Sequence, residues 1–532
     1  MAYSIPSSNS DATYSSSDND TEVTESSATP YAYLANDLTW SGSVGLDGGV
    51  SDGKIKGEDV ICVVENEGRN QTSGYTIFSL SPIDGGVGKL PFELKTTSAT
   101  KLPQECLESY LVKSLPTYLR SAETQIYVLI STLSGTGLAP YFYDNVLNRI
   151  LDSIGLPATS YTLIKTDNAD SVKEFAGSIL LDGANKGIKQ SILMLSGDGG
   201  MVDTINGLLE SGEKSGSYVK PTLSQLPLGT GNALFHSLHR PSPIPSIYVQ
   251  GLRTLLHGTP LPLPIFSVRF SSGARTITNE GQTETPLTNN IVYGAVVASY
   301  GLHATLVADS DTVEYRKHGD KRFHLVAGDL LYPKDGALPH AYKASVTLTR
   351  SNGTEERIPR KEHGYILSSL VSKLERTFTI SPASKPLDGQ LRVVHFGAAT
   401  GKQTMRVMEE AYKDGNHIGM RWNEDGQKGE VGYDCIEKLR IDFDEPGEGF
   451  KWRRCCVDGL IVGVEEGGWM EVERLKGEGT VDVVVDLKDE WLDVTVTKIV
   501  RFIERNLYLP NEMNLDTRQL LNPQLAARRS PI

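Results

Sequence analysis

Ser191–Leu209 reads S-I-L-M-L-S-G-D-G-G-M-V-D-T-I-N-G-L-L, and Leu226–His239 reads L-P-L-G-T-G-N-A-L-F-H-S-L-H. Both stretches have the same grammar: an apolar run, a glycine-rich turn, then apolar residues at helical spacing. Ile192, Leu193, Met194 and Leu195 form a run short enough for a strand buried on both faces. Val202, Ile205, Leu208 and Leu209 then recur at the spacing of one helix face. Glycines at 197, 199 and 200 leave backbone N–H groups open to an anion, and the start of a helix adds positive dipole there. Asp198 is the one carboxylate within that turn, a residue type suited to a base or a metal ligand beside phosphate. The second stretch repeats the device with Gly229, Thr230, Gly231 and Asn232, and Asn232 is expected to cap the helix beginning near Ala233. Either loop alone fits an ordinary strand–helix turn. Two in this order point to a nucleotide-phosphate site.

A third unit precedes them. Gln125–Ile130 is apolar, Ser131 to Ala139 carries Gly135 and Gly137, and a helix is expected from Tyr141 to Ile154. Thr162–Thr166 reads as the next strand. Strands alternating with helices in this way predict a doubly wound, mostly parallel sheet. After the Pro-rich stretch 241–245 the pattern turns to strands, including 265–270, 291–299 and 344–349. The expected fold is therefore an α/β N-terminal catalytic lobe followed by a β-rich, antiparallel, sandwich-like lobe, with the site in the cleft between them.

S-G-D-G at Ser196–Gly199, N-G-L at Asn206–Leu208 and G-T-G-N-A-L at Gly229–Leu234 resemble the diacylglycerol kinase catalytic-domain superfamily. The serine that opens S-G-D-G is most similar to sphingosine (long-chain base) kinases. The resemblance implies ATP as cofactor, with Mg2+, and a lipid hydroxyl as acceptor, most of all that of a sphingoid base. Diacylglycerol or ceramide as acceptor, a pseudokinase that only binds lipid or nucleotide, and an NAD kinase are the alternatives; G-T-G-N-A-L favours the lipid kinases over the last. It implies Asp198 as the base acting on the lipid hydroxyl. It gives nucleotide-binding roles to Ser131, Gly135, Gly137, Thr166, Gly197, Gly199, Gly200, Gly229, Thr230, Gly231, Asn232 and Asp458. Y-R-K-H-G-D-K-R-F at Tyr315–Phe323 resembles the family's R-x-x-G-x-x-R-F, which places Arg316 and Arg322 on ATP phosphates. Asp309 and Asp311 fall where the lipid's amine and hydroxyl are met. Asp198, Asp388 and Asp458 are the candidate magnesium ligands. The chain departs from the family's pattern at Ser131 and Thr132 (usually Asn-Pro), at Ser171 (usually His) and at Leu460, which replaces the Glu of V-D-G-E.

Composition bounds the rest. The chain has 532 residues, net charge −14, 39% hydrophobic and 22% charged residues, enough for two or three globular domains. The acidic balance argues against nucleic acid as a partner. No apolar run approaches the roughly 20 residues that span a bilayer. Five cysteines without metal spacing suit free thiols in a reducing compartment, and no Lys or Arg precedes Lys54, which argues against a leader peptide. The expectation is a cytoplasmic protein in peripheral contact with a membrane surface, where its lipid substrate lies; the oligomeric state is open. The Ile247–Leu256 helix is a candidate membrane patch or a core element. By stretches, 1–36 is expected to be disordered, 37–120 a β-rich extension containing a helix at 106–119, 121–240 the nucleotide-binding lobe, 241–505 the lipid-binding lobe and 506–532 a tail.

Overall fold

The computed structural model describes residues 38–44, 50–66, 74–82, 92–132, 135, 137–239, 246–318, 321–424, 427–477 and 479–486. The expected disordered segment 1–36 and the tail 506–532 lie outside them. The α/β lobe is built on a six-stranded sheet ordered Thr259–Pro262, Asp482–Val485, Thr222–Pro227, Gln190–Ser196, Gln125–Ile130, Thr162–Lys165. Every neighbouring pair is parallel except the first. Gln190–Ser196 is buried along its whole length, which is why its sequence is a continuous apolar run and not an alternating one.

Helices cover both faces. Val172, Phe175, Met201 and Ile205 pack on one face. Phe142, Val146, Val249 and Leu252 pack on the other. The doubly wound expectation holds. The sheet is not one continuous stretch of chain, however: Thr259–Pro262 and Asp482–Val485 join it from beyond residue 241.

The β-rich lobe is a curled antiparallel sheet of fourteen strands among the described residues. Its long central ladder pairs Glu362–Ser369 with Leu391–Gly397 on one side and with Val297–Gly301 on the other. Phe266, Val268, Tyr300, Ile366 and Val393 fill the concave core.

The N-terminal extension contributes the three-stranded antiparallel sheet Val60–Asn66, Gly74–Pro82 and Phe92–Ala99. The helix expected at 106–119 is only Gln104–Tyr110. Leu111 leaves it to form a parallel bridge with Val63, and Pro116 then opens a single turn at Thr117–Leu119. A proline removes a helix donor and disfavours helical geometry in the residue before it. The Ile247–His257 helix is core: Val249, Leu252, Leu255 and Leu256 are buried against Ile61, Phe78 and Leu80 of the extension. Arg253 locks that contact, donating from Nε to Val60 O and from Nη2 to Gly57 O, both at 2.7 Å. No helix among the described residues is long and apolar enough to cross a membrane.

Candidate active site

In an open α/β sheet, ligands bind outside the carboxyl ends of the strands, where the chain's winding reverses direction. Here the chain moves outward from Gln125–Ile130 to the edge strand Thr162–Lys165, then returns to add Gln190–Ser196 and Thr222–Pro227 on the other side. The reversal lies between Gln125–Ile130 and Gln190–Ser196, and the glycine loops follow their carboxyl ends. Ser131 N donates to Leu195 O at 3.1 Å, so the two loops leave together. Thr132 is tied to Thr166 by its N–H, at 3.0 Å, and by its hydroxyl, which donates to Thr166 O at 2.8 Å.

The loops meet backbone to backbone. A Cβ on Gly229 would lie 2.3 Å from the Gly197 Cα, and one on Gly197 would lie 2.9 Å from the Gly229 Cα. Gly135, at φ +57°, would place a Cβ 2.5 Å from Leu228 O. No side chain fits at these three positions without shifting backbone. Gly199 and Gly137 instead face open space. Leu133, Ser134 and Thr136 of the first loop lie outside the described residues.

Asp198 opens the helix Asp198–Glu210, but its carboxylate serves another helix. Oδ2 accepts from Ala233 N at 2.7 Å and Oδ1 from Leu234 N at 3.0 Å, with the Gln225 amide at 3.5 Å. Asn232 does not cap the helix Ala233–Leu238 as expected. It takes a left-handed conformation, and its side chain folds back on Gly229, accepting from Gly229 N at 3.0 Å and donating to Gly229 O at 2.9 Å. The cap comes from the other loop, as Asp198. A carboxylate on two N–H groups at a helix start also meets the positive end of the dipole. Burial raises the Asp198 carboxyl above its ordinary value, against the opposing pull of the Leu234 and Ala233 N–H groups and of Gln225.

The lobes are joined directly behind this site. Asn206, in the same helix as Asp198, clasps Tyr293 of the β-rich lobe: its Nδ2 donates to Tyr293 O at 2.8 Å and its Oδ1 accepts from Tyr293 N at 2.9 Å. Ser237 Oγ accepts from Lys373 N at 3.0 Å. Asp458 accepts three successive N–H groups, from Ala295 at 2.6 Å, Val296 at 3.1 Å and Val297 at 2.5 Å. Burial pushes its carboxyl up to about 7; the Val297, Ala295 and Val296 N–H groups oppose this, and the charge of Asp198 adds to it. Asp198 and Asp458 are thus electrostatic neighbours across the lobe junction.

Asp388 accepts from Gln390 N at 2.8 Å and pairs with Arg392 at 3.2 Å. Asp388 Oδ1 accepts from Gln390 alone and keeps an acceptor position, whereas each Asp458 oxygen is met by two backbone N–H groups. Among the described residues no group of three His, Cys, Asp or Glu side chains is arranged to hold a metal. Asp198 Oδ2 accepts from Ala233 alone and keeps an acceptor position. Asp309 is held between Lys451 at 2.8 Å and Arg454 at 2.7 Å. Arg322 approaches Asp311 at 3.5 Å, so a residue expected on phosphate faces one expected on the lipid. Arg316 ends the short helix Val313–Arg316; its side chain and Gly319 lie outside the described residues. Asn206 and Ser237 were not given roles by sequence reasoning, although N-G-L was visible as a motif. Their partners lie 87 and 136 residues away, beyond the reach of local pattern.

Residues 125–267 match the diacylglycerol kinase catalytic domain. The chain is 25% identical over 324 residues to sphingosine kinase 1 of Homo sapiens, covering 55% of this chain and 77% of that protein. It is 23% identical over 256 residues to sphingosine kinase 1 of Mus musculus, covering 45% and 59%. Among solved structures, a putative diacylglycerol kinase from Bacillus anthracis str. Sterne aligns at 12% identity with a TM-score of 0.43, covering 68% of this chain and 97% of that one.

Proposed function

We propose that this protein is a lipid kinase of the diacylglycerol kinase catalytic-domain type, and that it transfers the γ-phosphate of ATP to the hydroxyl of a sphingoid long-chain base. The observation that carries this reading is the convergence of three glycine loops at the carboxyl edge of the parallel sheet, with Asp198 pinned at their centre. Its likeness to sphingosine kinase 1 over 324 residues supports the choice of acceptor over diacylglycerol or ceramide.

Phosphoryl transfer is mainly positioning and neutralisation of charge. In this reading the phosphates of ATP lie against open backbone N–H groups of the glycine loops, near Gly199 and the start of the helix Asp198–Glu210. Ser131 and Thr166 flank the nucleotide. The acceptor oxygen attacks the γ-phosphorus, the bond to the β-phosphate oxygen breaks, and ADP leaves. Asp198 Oδ2 takes the hydroxyl proton. Its raised carboxyl suits that task, because a base works best when its pKa lies nearer the working pH. The N–H groups of Ala233 and Leu234 hold it in one orientation. Arg316 and Arg322 would supply positive charge as the transferred group develops its own, and Arg322 would exchange Asp311 for phosphate. Asp309 and Asp311 would meet the amine and hydroxyl of the lipid, whose chain lies in the β-rich lobe. The enzyme would work in the cytoplasm against a membrane surface.

A second reading, a lipid- or nucleotide-binding pseudokinase, is favoured by the same Asp198 contacts, since a carboxylate committed to a helix cap is less available as a base. Leu460 in place of Glu supports it too. Incubating the purified protein with ATP labelled in the γ-phosphate and separate micelles of sphingosine, diacylglycerol and ceramide decides among these. Label is expected in sphingosine first. Nucleotide binding without label in any lipid would establish the pseudokinase.

A further inference from the structure

At the far end of the helix that begins with Asp198, about 16 Å away at 1.5 Å per residue, the two lobes enclose a second cavity. Its volume is about 370 Å³, and Leu209, Lys214, Pro264, Asp388, Arg474 and Lys476 are among the residues that line it. The α/β lobe supplies Leu209 and Lys214, and the β-rich lobe supplies Arg474 and Lys476.

In a chain of net charge −14, two of its three named cations have no carboxylate partner among the described residues. The Arg474 guanidinium packs against the face of Gly389, with Nη2 3.2 Å from where a Cβ would stand, and no carboxylate among the described residues pairs with it. Lys214 Nζ donates to Thr480 Oγ1 at 3.0 Å and to Gly479 O at 3.4 Å, and it too has no carboxylate partner among the described residues. Burial and the charge of Lys220 lower its pKa, so the site disfavours a second positive charge and would be relieved by a negative one. Lys476, at the rim, meets Glu437 only at 3.9 Å. Among the described residues, the one carboxylate in the wall is Asp388, and it pairs with Arg392.

We infer that this cavity is a binding site for a phosphate-bearing anion, distinct from the nucleotide loops, held by Arg474 and Lys214 from opposite lobes. A planar Arg fork with a Lys point charge suits a doubly charged phosphate more closely than a single carboxylate. The volume accommodates a phosphorylated headgroup or small metabolite. Because the anion would bridge both lobes and touch the end of the helix whose start carries Asp198, its occupancy would couple to the geometry of the glycine loops. The inference does not depend on which lipid, if any, is phosphorylated.

The test uses the full chain and no turnover. The thermal midpoint is followed against inorganic phosphate for the wild type, Arg474→Gln, Lys214→Gln and Arg474→Lys. Phosphate also bound at the glycine loops would stabilise all four equally, so the difference between proteins reports this cavity. The expected result is a phosphate response weakened about tenfold or more in each Gln variant, with part of it retained in Arg474→Lys. A wild-type response equal to that of both Gln variants, or no response in any of them, would overturn the site. Co-sedimentation with phosphatidylcholine vesicles, with and without phosphatidic acid, identifies the source. Pelleting that requires phosphatidic acid and is lost in the Gln variants assigns the anion to a lipid headgroup. A phosphate response without such pelleting assigns it to a soluble phosphate compound.

Discussion

The carboxylate of Asp198 accepts the backbone N–H of Ala233 at 2.7 Å, so the acidic residue of one glycine loop caps the helix that leaves another. This contact gives the residue two tasks at once. It fixes the second loop against the first, where Gly229 and Gly197 touch, and it leaves Oδ2 with a single donor. A residue with both tasks should cost stability as well as activity when it is changed. Asp198→Asn retains one acceptor oxygen, and its amide nitrogen cannot accept from the second N–H. The expected loss is about 1–3 kcal/mol, measured as a lower denaturation midpoint in urea. An unchanged midpoint would mean that the cap contributes nothing.

Arg322 tests the proposed phosphate grip. Its contact with Asp311 at 3.5 Å is partly exposed, and such a pair contributes little to stability. Arg322→Ala should therefore leave the melting temperature within a degree or two, while turnover falls and the ATP requirement rises. Steady-state kinetics against ATP separate this from a surface role, in which neither quantity would move.

Asp458 makes a prediction about pH. Its carboxyl in the folded protein stands at about 7, above the unfolded value of about 4. The folded state therefore holds a proton more tightly than the unfolded state in that window. The contribution of Asp458 is most favourable below about pH 4 and is lost as the pH rises towards 7. The stability of the wild type relative to Asp458→Asn should fall across that range. A difference that stays level between pH 4 and 7 would show that Asp458 is not raised.

Much of this architecture is legible in the sequence because its signals are local. The buried run Ile192–Leu195, the glycines after it and the helical spacing of Val202, Ile205 and Leu208 lie within twenty residues of each other, and the structure builds them as read. What escapes is set by distance. Asn232 has the right chemistry for a helix cap, but its amide is taken by Gly229, and Asp198 fills the position from 35 residues away. Asp458 sits in a short turn whose sequence suggests a ligand, yet its partners are three N–H groups about 160 residues earlier. The valines of Asp482–Val485 announce a strand, but nothing in them says that it returns to the nucleotide-binding sheet.

Besides its apolar packing on the helix Ile247–His257, the N-terminal extension is tied to that helix by the buried Arg253. Arg253 donates to Val60 O and Gly57 O and lies over the Tyr110 ring, 5.0 Å from its centroid. Arg253→Ala leaves two buried carbonyls without their donor, and charge-assisted bonds of this kind contribute about 1.5–3 kcal/mol each. The expected loss is about 3–5 kcal/mol, with faster amide exchange in Val60–Asn66. A loss below about 1 kcal/mol would show that apolar packing alone holds the extension.

In the proposed function the glycine loops and Asp198 together form a phosphotransferase site. Single-turnover transfer of labelled γ-phosphate from ATP to sphingosine, compared between the wild type and a folded preparation of Asp198→Asn, measures it directly. Transfer is expected from the wild type, and a rate lower by about two to four orders of magnitude from the variant, with ATP affinity little changed. Transfer by the variant at the wild-type rate would show that Asp198 is not the base.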